Sequence, residues 1–224
     1  MAEQHAVTLL MSEFVTHDVK RLLVSRPTGF TFEAGQGVEL AINQPEWQDE
    51  GRPFTPTGLV DDKVLEFTIK RYPTHEGVTR ELHTLAAGAE LLMSEPFGTI
   101  SYRGPGVFLA GGAGITPFIA ILRAQVRESG LDAHALIFSN KTPADIICEK
   151  ELRHYLGERC TLTCTDAEQA RGYEHRRVDK AFLAEKINNF DQNFYVCGPP
   201  GFMEAVTAAL KDLGADPQSL VFER

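Results

Sequence analysis

Residues 107–118 read "VFLAGGAGITPF". Val107-Phe108-Leu109-Ala110 is an unbroken apolar run between Gly106 and Gly111, the pattern of a short strand buried on both faces. Thr116 is placed to cap a following helix and Pro117 to occupy its first turn. Phe118, Ile121, Leu122 and Val126 then recur at helical spacing. Between strand and helix lies a glycine loop. Glycines admit close approach of a ligand to backbone, and a helix start offers unpaired N–H groups and partial positive charge to a phosphate. Gly112, Gly114, Ile115, Thr116 and Pro117 are therefore candidate binding residues. The spacing departs from GxGxxG, because Pro117 stands where the third glycine would be. A tight strand–helix turn uses glycine in the same way, so the loop alone leaves both readings open.

The residues beyond keep the same rhythm. Strands are predicted at 135–138, 160–165 and 194–197, and helices at 143–156, 179–187 and 202–213, the last stopped by Gly214. Strands alternating with helices imply a doubly wound parallel sheet. "YVCGPPG" at 195–201 ends the last inner strand and faces the same sheet edge. Cys197, Gly198 and Pro199 are candidates there, although an unpaired cysteine before a turn is more commonly structural.

Upstream the grammar is different. Short apolar or alternating runs at 7–10, 19–24, 38–42 and 65–72 are separated by Gly, Pro, Asn and Asp. Leu65, Phe67 and Ile69 share one face of their strand; Glu66, Thr68 and Lys70 share the other. This predicts a small antiparallel barrel, interrupted by a helix at about 79–85. "RPFTPTG" at 52–58 sets a cation, a ring and a hydroxyl nearly side by side, stiffened by prolines. The fold class is thus a β barrel plus α/β, with domains at 1–103 and 104–224 meeting near Arg103-Gly104-Pro105-Gly106.

Composition bounds the function. The chain has 224 residues, 43% hydrophobic and 24% charged, with net charge −9 and pI near 5.3. That acidity argues against nucleic acid as a partner. The cysteines (Cys148, Cys160, Cys164, Cys197) show no CxxC pair, so neither a zinc nor an iron–sulfur site is expected. No leader peptide and no apolar run of about 20 residues is visible. A cytoplasmic protein without membrane insertion, and a monomer, is the expectation.

Together these motifs resemble the ferredoxin–NADP(+) reductase superfamily. "RPFT" (52–55) is similar to its flavin motif Arg-x-Tyr-Ser/Thr, and "IKRY" (69–72) to the strand that follows. "EGVTRELH" (76–83) is similar to its phosphate turn and helix, and "EPFG" (95–98), "GGAGITPF" and "YVCGPP" also match in order. The resemblance implies FAD, rather than FMN, in the barrel, and NADH or NADPH as co-substrate on the α/β domain. It implies that Arg52 pairs with the flavin phosphate, that Phe54 and Pro53 lie along the ring, and that Thr55 bonds its reactive edge. Gly77, Val78 and Thr79 would hold the phosphate; Ile69, Lys70 and Tyr72 would flank the cofactor. Cys197 and Gly198 would lie near the hydride-donating nicotinamide carbon. His75 and His83 flank the phosphate turn with no catalytic task.

Three departures from the family pattern matter. Phe54 replaces the usual Tyr, as in relatives that treat flavin as a loose substrate. The chain ends Val221-Phe222-Glu223-Arg224, so Phe222 stands in for a terminal aromatic over the flavin and Glu223 is placed near the ring. Thr165-Asp166 takes the place of the Ser-Arg pair of NADP-preferring relatives. A carboxylate beside a 2′-phosphate disfavours NADPH, although Arg171, Arg176 and Arg177 lie close enough in sequence to reverse this. The expected activity is hydride transfer from NAD(P)H to bound FAD, then electron transfer to a separate ferredoxin or flavodoxin. The alternatives are an NAD(P)H:flavin reductase acting on free flavin, and a non-enzymatic binding or regulatory subunit.

Overall fold

A computed structural model of the chain describes residues 4–72, 77–98, 100–166 and 171–222. The first six strands are β1 (Gln4–Phe14), β2 (Val19–Ser25), β3 (Val38–Ile42), β4 (Arg52–Phe54), β5 (Val64–Lys70) and β6 (Glu90–Ser94). They form one antiparallel sheet in the order β4-β3-β6-β1-β2-β5. The "RPFTPT" segment is its seam. Val38 pairs with Phe54 on one side; Pro56 then bridges to Phe67, and Thr57 N–H donates to the Glu66 carbonyl at 2.7 Å. Prolines fit here because a seam strand leaves some amides without a ladder partner. Leu65, Phe67 and Ile69 fill the barrel interior with Leu22, Leu40 and Met93. The expected helix is shorter, α1 (Val78–Leu82). β4 and β6 carried too weak a pattern to be read as strands; β6 gains its place by pairing with both β1 and β3.

The second sheet is wholly parallel, in the order β11-β10-β7-β8-β9. Its strands are β7 (Gly106–Gly111), β8 (Ala135–Asn140), β9 (Cys160–Cys164), β10 (Asn193–Cys197) and β11 (Leu220–Phe222). Alternate residues of β7 enter two cores. Phe108 and Ala110 pack with α2 (Thr116–Glu128) and α3 (Glu149–Leu156). Val107 and Leu109 pack with α4 (Lys180–Lys186) and α5 (Pro200–Asp212). Helices on both faces explain why the run is continuously apolar. The predicted 143–156 helix is broken: a 3-10 turn at Pro143–Asp145 is closed by Thr142 and Asp145, and Cys148 at φ 54° restarts the chain into α3. Val126 proves to be 40% exposed, outside the core stripe.

The two halves meet through apolar and ionic contacts. Val19 of β2 and Ile100 lie in the same core as Phe108 and Phe118. Arg123 of α2 donates to the Thr57 carbonyl (2.7 Å) and to Glu66 Oε1 (2.6 Å) in the barrel. Its other edge grips both oxygens of Glu151 on α3, at 2.6 and 2.9 Å. Near the covalent joint, the buried Tyr195 hydroxyl accepts from Arg103 N–H (2.9 Å) and donates to the Gly104 carbonyl (2.7 Å). Burial pushes its pKa up to about 12. Tyr195→Phe leaves that amide and carbonyl short of a partner, so we expect about 1–3 kcal/mol of lost stability, measured as a lower midpoint in urea unfolding.

Candidate functional site

The barrel seam and the parallel sheet's glycine loop open onto one cleft of about 480 Å³. From the barrel come Arg52, Pro53, Phe54, Thr55, Thr68, Ile69, Lys70, Tyr72 and Thr79; facing them stand Gly111, Gly114, Thr116, Pro117, Cys197, Gly198 and Pro199. Two sets of residues from separate halves of the chain are thereby brought onto one space.

The guanidinium of Arg52 is half-exposed, resting on the carbonyl of Gly51 (2.7 Å). Phe54 is half-buried against the barrel core while its ring lines the cleft. Thr55 is buried, and its hydroxyl makes no hydrogen bond among the described residues. A cation at the mouth, an apolar wall and an uncommitted hydroxyl inside suit a flavin nucleotide, with an anionic tail and a flat ring. Thr79 reaches the cleft, whereas the side chain of Val78 belongs to the barrel core. Gly77 precedes α1 with extended backbone and caps it without a side chain. His83 is buried and holds the Ile69 carbonyl at 2.8 Å; burial lowers its pKa. His75 lies outside the described residues.

On the opposite wall, Gly112 takes φ +51° and opens a 3-10 turn, Gly112–Ile115, ahead of α2. Thr116 is therefore not the cap expected from the sequence. Ile115 holds that position without a side-chain bond, and the Thr116 hydroxyl donates to the Ala113 carbonyl at 3.1 Å. The Ile115 side chain is fully buried in the core and does not face the cleft. Gly114 packs directly against the end of β10: a Cβ there would lie 2.4 Å from the Cys197 carbonyl oxygen and 2.6 Å from Gly198 N. This close approach brings the two loops together across the point where the sheet reverses its winding, the usual place for a nucleotide. Cys197 itself is 3% exposed.

A second cleft of about 550 Å³ continues the first, sharing Lys70, Tyr72, Gly111, Ala113 and Pro199 and adding Gly112, Asn140 and Thr165. Asp166 is exposed at its edge, accepting from the Thr165 hydroxyl at 3.1 Å. Of the arginines weighed against it, Arg176 is tied to Glu185 (2.7 Å) and Arg171 is exposed, while Arg177 lines a neighbouring groove with Thr165 and Lys180. Lys70 is ion-paired with Asp18 at 2.9 Å.

One expectation about the chain end needs correction. Phe222 pairs in β11 beside Val196 and faces α5 with Met203 and Thr207, away from the cleft. Its place in the strand register, not its aromatic character, sets where it points. Glu223 and Arg224 lie outside the described residues. What sequence reasoning missed is the role of Thr68 and Glu66, which it placed only on the face of their strand opposite Leu65, Phe67 and Ile69.

A family model described as an oxidoreductase NAD-binding domain matches residues 108–208. The reductase component, ferredoxin–NAD(P)(+), of the naphthalene 1,2-dioxygenase system of Pseudomonas putida is 25% identical over 221 residues, covering 95% of this chain and 66% of that protein. The FAD/NAD-binding domain of nitric oxide dioxygenase from Vibrio cholerae aligns at TM-score 0.86 and 20% identity, over 97% of each chain. A ferredoxin NADP+ reductase from Neisseria gonorrhoeae, solved with FAD and NADP, aligns at TM-score 0.82 and 21% identity, over 96% of this chain and 93% of that one.

Sequence and fold are thus similar to those of ferredoxin–NAD(P)(+) reductases, and residues 108–208 match an oxidoreductase NAD-binding domain. Other relatives that match most of the chain are named NADH-cytochrome b5 reductases, at 26–29% identity. Of the first curated relatives it matches, it spans 66%, 24% and 65% of the length. No helix among the described residues is long and apolar enough to cross a membrane.

Substituting Gly114→Ala forces a methyl group against backbone that cannot rotate away. We expect NADH affinity to fall by about tenfold or more, equivalent to ~1.4 kcal/mol, with flavin content unchanged. Fluorescence titration of the purified protein with NADH measures it.

Proposed function

We propose that this chain takes hydride from NADH, and less readily from NADPH, onto FAD, and passes the electrons to a separate acceptor such as a ferredoxin or flavodoxin. The observation that carries the reading is the single cleft lined by Arg52–Phe54 and Thr55 on one wall and by Gly114, Thr116, Pro117, Cys197 and Gly198 on the other. The flavin supplies the chemistry, accepting two electrons as hydride and releasing them singly. The protein's part is to bind, orient and exclude.

Arg52 offers its planar fork to the flavin phosphate, joined by the backbone at Gly77 and Val78 and the Thr79 hydroxyl. Pro53, Phe54, Ile69 and Tyr72 flank the ring and its side chain. Thr55 donates to the edge that receives hydride. Gly112, Gly114 and the start of α2 cradle the dinucleotide's phosphates, where helix and backbone N–H groups converge. Thr116, Pro117, Cys197, Gly198 and Pro199 shape the nicotinamide subsite. Thr165 and Asp166 meet the adenosine ribose. At roughly 5 Å, the Asp166 carboxylate opposes a 2′-phosphate by about 3 kcal/mol at an effective dielectric of 20, less with solvent screening. Arg177 is the one of the three arginines placed to counter it. The acceptor's class follows the dioxygenase-system relative, whose printed name couples it to a ferredoxin.

Anaerobic titration of the isolated protein with NADH and with NADPH, read by flavin absorbance, tests the proposal. Stoichiometric bleaching of bound flavin, at lower concentrations of NADH, is expected. A protein that stays colourless after flavin addition and dialysis would overturn it. One observation favours a second reading, in which free flavin is the substrate. Phe54 lacks the hydroxyl that would bond the ribityl chain, and Arg52 is half-exposed. Turnover that strictly requires added flavin would select it. On either reading, Phe54→Tyr restores one neutral hydrogen bond, ~0.5–1.5 kcal/mol, and tightens flavin binding by up to about tenfold, measurable by equilibrium dialysis.

A further inference from the structure

Hydride transfer between two stacked rings depends steeply on their separation. Here one ring's holders sit on the barrel and the other's on the α/β domain, so the distance is set wherever the domains are pinned. The apolar part of that contact, around Val19 and Ile100, is non-directional and tolerates sliding. Arg123 does not. Its side chain is 17% exposed and makes four short bonds, two to the barrel and two to Glu151. A planar guanidinium fixes orientation as well as distance.

The attachment points matter more than the number of bonds. On the barrel side, the Thr57 carbonyl lies two residues beyond Thr55 in the same stiff seam. Glu66 Oε1 also accepts from the Thr57 hydroxyl at 2.9 Å, and that hydroxyl lies 3.1 Å from the Thr68 hydroxyl, whose residue lines the cleft. On the other side, Arg123 stands two turns along α2 from Thr116 and Pro117, about 10 Å down a rigid helix. We propose that Arg123 is a positioning residue for hydride transfer, fixing the flavin edge at Thr55 against the nicotinamide cradle at Thr116 and Pro117. It touches neither cofactor. This inference rests on the reductase reading above.

Removing one member of a buried ionic cluster leaves the others desolvated and unpaired, so two variants are needed. Arg123→Lys keeps the charge and loses the fork. Arg123→Met combined with Glu66→Gln and Glu151→Gln removes the charge of all three partners at similar volume, leaving only the more exposed Arg21, 3.8 Å from Glu66. Both are loaded with FAD and followed by anaerobic stopped-flow reduction with NADH and with its 4-deuterated form. Alongside are read NADH affinity, flavin content and thermal unfolding. The expected result is a fall of about tenfold or more in the flavin reduction rate, with NADH affinity and flavin content nearly unchanged and a larger isotope effect, the signature of lost geometry at the transferring atom. A wild-type reduction rate in either folded, flavin-loaded variant overturns the proposal. So does a rate loss matched by equal loss of NADH affinity or flavin, and so does failure of both variants to fold, since either makes Arg123 a purely structural tie. Failure of the wild-type protein itself to reduce flavin would instead strike the functional reading.

Discussion

The chain must present two binding surfaces to one cleft, yet each surface is built by its own hydrophobic core. The parallel sheet leaves a crevice between the ends of β7 and β10, because the crossovers run to opposite sides from that point. The barrel has its own natural opening at the seam, where β4 hands over to the bridge between Pro56 and Phe67. The fold docks seam against crevice. Every polar group named in the cleft owes its position to that docking.

Glycine at 114 and arginine at 123 act at opposite ends of the same problem. Gly114 lets the α2 loop touch the β10 end, so that wall of the cleft is a single surface rather than two loops. Arg123 ties that helix to the barrel. Burial opposes the charge of Arg123, but its bonds to Glu151 and Glu66 outweigh this and raise its pKa; burial likewise works against Glu151, yet the Arg123 contact lowers its pKa overall. Both shifts favour the ionised forms, so the pair is charged near neutral pH.

The α/β half was legible because its signals are local: a doubly buried strand, a glycine loop and an amphipathic helix all lie within residues 107–122. The barrel was legible as a class, but β6 was invisible. "ELLMS" is too short for periodicity to speak, and its strand character comes from the neighbours on either side. The helix read at 143–156 failed because Ile146 and Ile147 are buried without being helical; burial and helical spacing coincide over so few residues. The polar face of β5 gave up only part of its role. Glu66, Thr68 and Lys70 alternate as a solvent face would, but a second domain covers them: Glu66 meets Arg123, Thr68 the cleft and Lys70 the two acids at the interface. Alternation reports which residues avoid the barrel core. It does not report whether water or another domain lies outside.

Lys70 sits in a second charged cluster between the two halves. His17, Asp18 and Asp145 offer ligand atoms within 4.8 Å of one another, a grouping that invites a metal ion. The ammonium of Lys70 is already there, 2.9 Å from Asp18 and 4.0 Å from Asp145. Burial works against the Asp18 carboxylate, but the bond to Lys70 prevails and its pKa falls. A lysine so engaged is a weak partner for a phosphate, since two carboxylates offset its charge at close range. On the proposed reading, attraction for a pyrophosphate arises instead from the backbone around Gly112 and the start of α2. Lys70 instead joins barrel to α/β domain along the cleft's other rim, as a single ammonium between two short acidic side chains where Arg123 uses a planar fork between two glutamates.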